Sequence, residues 1–137
     1  MRPLGDFMTR RYLTNSEAKA NLNRGKSIEC FLGGCVNDNR LGIEWFSISK
    51  FKDGYLPQIY QTADLGSEEY IDIYSFGPLN EDLEYEEADD SLSGSSFEQV
   101  INLLEKRFKR TGFKLVNQFV VQDEYLDFIR NGRVCSA

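Results

Sequence analysis

Three consecutive stretches of this chain alternate apolar and polar residues, and the joints between them are too short to hold a helix. Ser27 to Val36 sets Ile28, Cys30 and Leu32 on one face of a strand and Glu29 and Phe31 on the other. Leu41 to Phe51 does the same with Ile43 and Trp45 against Phe46 and Ile48, and Tyr55 to Thr62 gives a third run with Pro57 near its start. The joints are the turn cluster Asn37-Asp38-Asn39-Arg40 and the turn signal Asp53-Gly54. Parallel neighbours need a crossover of roughly a dozen residues or more, so these runs are expected to pair antiparallel.

The remaining segments extend that frame. Tyr70 to Phe76 (YIDIYSF) reads as a fourth strand, with Ile71 and Ile73 inward and Tyr70, Asp72, Tyr74 and Phe76 on the opposite face. Gly77-Pro78 breaks it. A helix is expected after Ser95, which stands at capping-box spacing from Glu98; Phe97, Val100, Ile101, Leu104 and Phe108 recur at three and four. Lys106, Arg107, Lys109 and Arg110 suit its C-terminal dipole, and Thr111-Gly112 closes it. Phe113 to Val121 reads as a last strand, and Asp123 to Arg130 as a short helix capped by Asp123. A first helix is placed at Ser16 to Arg24, with Ser16 as cap and Gly25 as terminator. The expected architecture is a single α+β domain over 1–137: an antiparallel sheet of four to five strands with helices packed on one face.

Charge is distributed unevenly. Asp53 to Glu105 holds 14 acids and no Lys or Arg, which leaves 8 acids and all 16 bases for the rest of the chain. Seven carboxylates fall within the eleven residues Asn80 to Asp90 (NEDLEYEEADD). A field of that sign attracts a basic partner and repels nucleic acid. The basic run from Lys106 to Arg110 with Lys114 is expected to pair with this segment rather than with RNA. The Asp53 to Glu105 half is expected to form one anionic face of the molecule.

Several chemistries are excluded or disfavoured. The chain has no histidine, which removes His-based triads, His general bases and His metal ligands together. Cys30, Cys35 and Cys135 do not make a zinc set and are read as reduced thiols. Asn37-Asp38-Asn39 begins like a calcium loop, but Leu41 and Ile48 occupy positions that need oxygen ligands. Gly33-Gly34 lacks the spacing of a phosphate loop and is read as a bulge or a close backbone approach. No apolar run approaches the roughly 20 residues of a membrane span, and no apolar stretch follows Arg2, Arg10 and Arg11 as a secretion signal requires. The expectation is a cytoplasmic protein with no membrane, cofactor or nucleic-acid partner.

Two readings of the Tyr70, Asp72, Tyr74 and Phe76 face stay open: core beneath a helix, or a binding surface of tyrosines and a carboxylate beside the acidic loop. In size, acidity, the aromatic strands IEWFSI and YIDIYSF, and the closing segment FVVQDEYLDFI, the chain resembles the immunity proteins of contact-dependent growth inhibition and related bacterial polymorphic toxin systems. The resemblance implies stoichiometric neutralisation of a cognate, basic C-terminal toxin domain, often a nuclease, with no catalytic residue of the chain's own. The residues expected to bind it are Tyr70, Asp72 and Tyr74 at the centre, with Glu81, Asp82, Glu84, Glu86, Glu87, Asp89 and Asp90 as a steering rim. The alternatives are a small ligand-binding domain or carboxylate-based enzyme, which would need two convergent acids in a pocket, and an inhibitor that mimics nucleic-acid charge.

Overall fold

A computed structural model describes residues 11–84 and 87–134. Arg2, Arg10, Glu86 and Cys135 lie outside the described residues. The elements in chain order are β1 (Tyr12–Leu13), α1 (Asn15–Asn23), β2 (Ile28–Asn37), β3 (Arg40–Phe51), β4 (Gly54–Ala63), a 3-10 turn (Ile73–Ser75), β5 (Asp90–Ser91), α2 (Phe97–Phe108), β6 (Leu115–Asn117) and α3 (Val121–Arg130).

The fold is α+β, and among the described residues six strands form one antiparallel sheet in the order β1-β6-β2-β3-β4-β5. The three alternating runs form its centre, as their joints require. The β2–β3 hairpin closes through Asp38 and Asn39, both left-handed at φ 51° and 64°, a conformation that short Asp and Asn side chains tolerate. Phe31 pairs with Trp45 but Gly33 pairs with Glu44, so the ladder slips by one residue in a bulge. This is the irregularity anticipated at Gly33-Gly34.

Alternation sends the central strands' side chains to both faces, and both faces are apolar. One face carries Ile28, Cys30, Phe46, Ile48 and Ile59, covered by Ala18 and Leu22 of α1 and by Phe97, Val100 and Leu104 of α2. The other carries Ile43, Trp45 and Val116, covered by Val121, Tyr125 and Phe128 of α3 together with Ile73 and Phe76. The expectation of helices on one face is therefore corrected. Trp45 and Ile43 oppose Phe46 and Ile48 across the sheet, so neither face can be left to water.

YIDIYSF is not a strand. Ser67 and Tyr70 close a turn, and the chain passes through the 3-10 turn at Ile73 before running along the sheet edge. That edge is occupied by the residues after the break. Gly77 accepts from the amide of Ala63, Leu79 donates to Gln61, Asp89 to Ile59, and Leu92 to Pro57. The backbone after Gly77 thus satisfies the unpaired groups of β4, and residues 70–76 lie across the sheet face as anchors. Phe76, expected outward with Tyr70, is 3% exposed and packs edge-on against Tyr125.

Helix ends shift by a residue or two. Thr14 rather than Ser16 caps α1, in a reciprocal capping box with Glu17. Ser96 caps α2 by accepting from the amide of Gln99, one residue beyond the expected Ser95 and Glu98 pair. α2 ends at Lys109 in the left-handed region, before Thr111-Gly112. α3 begins at Val121 without a side-chain cap, and Asp123 sits in its first turn, where the dipole favours an acid. The last strand shrinks to Leu115–Asn117 because β1 and β2 pair only with those residues.

A candidate binding groove beside the acidic loop

α3 and the 70–79 segment cover only part of their sheet face. Where cover ends, the outward residues of β2, β3 and β4 turn polar, and a cavity of about 290 Å³ opens. Register decides what meets there. Ser47 stands between Glu29 on β2 and Gln58 on β4, and Trp45 stands opposite Tyr60. The Trp45 ring stacks on Tyr60 at 4.4 Å and 15°, and Tyr74 meets it edge-on at 5.5 Å. Trp45 Nε1 donates to Thr62 Oγ1 at 2.9 Å, which satisfies the indole within the sheet.

Glu29 is the unusual group. It is 2% exposed. The Tyr74 hydroxyl lies 2.7 Å from each of its carboxylate oxygens and donates to them, and the Phe119 amide donates to Oε1 at 2.8 Å. Among the described residues no base lies within ion-pair distance of it. Asp64 forms a contrast: its carboxylate is 4% exposed and pairs with Arg133 at 2.9 Å. Burial pushes the Glu29 carboxyl above its ordinary range, and the bonds from Tyr74 and Phe119 offset part of that. Burial, then the bond to Glu29, raises the Tyr74 hydroxyl in turn.

The Phe119 amide reaches Glu29 from a conformation that a bulky residue seldom adopts, φ 78°. The residue is 60% exposed, and its ring packs edge-on against Tyr74 at 5.6 Å. A phenylalanine held left-handed and outward so that its amide can meet a buried acid is local strain gathered at one place.

The acidic loop borders this groove. Chain pairing along β4 holds at Leu79 and resumes at Asp89. Glu87 lines the groove. Its Oε1 accepts the Glu84 amide at 2.9 Å, and Asn80 Oδ1 accepts the Asp82 amide at 3.0 Å. Asp82, Glu84 and Glu87 are exposed, and among the described residues no base pairs with them. Glu81 pairs with Arg40 at 3.0 Å and Asp90 with Arg107 at 3.6 Å. Asp89 turns inward to accept the Gln61 amide at 2.6 Å, and burial raises its carboxyl.

The expectation of one anionic face from Asp53 to Glu105 is corrected by these pairings. Arg133, Arg130, Arg40, Arg107 and Lys19 pair with Asp64, Glu68, Glu81, Asp90 and Glu98, so the basic remainder of the chain folds back onto five of the segment's acids. Of the loop's described acids, Asp82, Glu84 and Glu87 are left exposed without a base among the described residues. Tyr74 belongs to the groove, whereas Tyr70 and Asp72 do not line it. Tyr70 packs against Phe76 at 5.0 Å, and Asp72 is an exposed residue ahead of the 3-10 turn.

The sequence pattern alone does not mark Glu29, Trp45, Tyr60 and Phe119 as site residues. One signal was present: Glu29 is an acid within an otherwise apolar strand, at a position whose neighbours on both faces are core. Among the described residues no group of three metal-ligating side chains occurs, and no helix is long and apolar enough to cross a membrane. Comparison with protein families, curated proteins and solved structures finds no match for this chain.

Proposed function

We propose that this chain is an immunity-type inhibitor: it binds a basic toxin domain in the cytoplasm of the producing cell and occludes it stoichiometrically, without catalysis of its own. The observation that carries the reading is the exposed, base-free carboxylates Asp82, Glu84 and Glu87 of one loop, the last of which lines the same groove as Trp45, Tyr60 and Tyr74. Carboxylates without bases of their own are available to a partner's Lys and Arg, and aromatic area beside them supplies the desolvated centre that protein interfaces need. A toxin that handles phosphate must present cations in its cleft, and the loop would compete for them. A standard interface of about 1,600 Å² would cover the loop, the groove and the surface around them.

The test is stopped-flow association with the toxin domain encoded beside this gene, at two salt concentrations. Asp82→Asn, Glu84→Gln and Glu87→Gln together should slow association by about 10-fold or more, flatten its salt dependence and leave dissociation nearly unchanged. Association that does not respond to salt in the parent protein would refute the electrostatic mechanism.

A further inference from the structure

We infer that the groove is a binding site for one arginine side chain presented by a protein partner, with the guanidinium against Glu29 and the aromatic wall of Trp45, Tyr60 and Tyr74. The source of that arginine rests on the reading above; the groove's preference does not.

The argument starts from Glu29. Buried charges in proteins are paired, because an uncompensated carboxylate in a poorly solvated site costs several kcal/mol. Asp64 obeys this rule through Arg133, whereas Glu29 has one hydroxyl and one amide as donors and no cation among the described residues. A carboxylate offers about four acceptor sites, so two remain. The group that would complete it must carry positive charge and enter from the cavity that Glu29 lines.

Size and lining narrow the choice. At about 290 Å³ the cavity lies at the lower limit of small-molecule sites and suits one long side chain. Ser47, Ser49 and Gln58 add neutral oxygen acceptors around the carboxylate, and three aromatic rings form the wall. A planar cation with five donors matches acceptors spread over several directions and stacks on rings, while an ammonium is a compact, strongly hydrated point charge. Glu87 at the rim and the exposed Asp82 and Glu84 beyond it favour approach by a cation from outside. The Phe119 amide and the Tyr74 hydroxyl hold the Glu29 carboxylate in place before any ligand arrives, so little ordering remains to be done on binding.

Trp45 is the only tryptophan of the chain, so its fluorescence reports on this wall directly. The experiment titrates the full chain, at constant ionic strength, with N-acetyl-arginine methylamide, its neutral citrulline counterpart and its lysine counterpart. Expected is a saturable change with arginine at a dissociation constant on the order of 1–10 mM. The lysine and citrulline compounds should each bind at least about 10-fold more weakly. Glu29→Gln should weaken arginine binding by at least about 10-fold. Ser47→Phe, which fills the groove and keeps Glu29, should abolish the response. No saturable change with arginine, or equal responses to arginine and either counterpart, would overturn the assignment. The probes contain no part of a toxin, so the two readings fail separately. Tight toxin binding with no arginine response removes this one, and arginine binding without any toxin partner removes the other.

Discussion

Tyr74→Phe isolates the bond that holds Glu29. The ring stays, with its contacts to Trp45 and Phe119, and only the hydroxyl that donates to both oxygens of a 2% exposed carboxylate is lost. Leaving a buried acceptor short of a partner costs about 1–3 kcal/mol. For a chain of this size that corresponds to a fall in melting temperature of about 4–12 °C. The loss must depend on pH. The folded pKa of Glu29 lies above its ordinary 4.5, so below that value both folded and unfolded chains are protonated and no penalty exists. As pH rises through 4.5 the unfolded chain ionises first, and stability falls until the folded pKa is passed. Tyr74 holds the folded pKa down, so its removal widens that window and deepens the loss on the alkaline side. Urea unfolding of both proteins at about pH 4 and about pH 8 should therefore show the larger difference at the higher pH. In a Glu29→Gln background the Tyr74→Phe cost should fall below about 1 kcal/mol, because the charge that the hydroxyl serves is gone. An equal cost at both pH values, or an undiminished cost in that background, would refute the account of Glu29 as a buried carboxylate steadied by Tyr74.

Gly66→Ala should cost about 1–3 kcal/mol in chemical unfolding, since a Cβ there would stand 2.7 Å from both Phe76 Cζ and Tyr125 Cε2. Asp64→Asn should destabilise by about 1.5–3 kcal/mol, because Asp64 accepts from the Tyr125 hydroxyl and pairs with Arg133; thermal unfolding with and without Arg133→Gln would show whether the two changes share one effect. Burial pushes the Cys30 thiol up to about 12, so in the native protein iodoacetamide at about pH 8 should label the half-buried Cys35 well before Cys30, as peptide mass spectrometry would record.

The sequence by itself determined the antiparallel centre. Two turn clusters separate three alternating runs, and no chain path through so few residues can make those strands parallel. It also determined α2, whose apolar spacing is strong, and the bulge at Gly33, where a second glycine follows at once. The alternation in YIDIYSF was equally clear and its strand reading was wrong. A free sheet edge is a global resource, and the chain after Gly77 takes the one beside β4. The second apolar face was visible in Ile43 and Trp45, but which elements would cover it depended on packing among distant residues. The groove was the least legible part. Glu29, Trp45, Tyr74 and Phe119 come from four separate segments, and only strand register and the path of the edge chain bring them together. The same holds for charge: composition determined that bases and acids were segregated along the chain, and tertiary pairing decided which acids stayed free. Coulomb energy depends on separation in space, so Asp64 and Arg133, 69 residues apart, neutralise one another, while Asp82, Glu84 and Glu87 remain at the surface beside the groove.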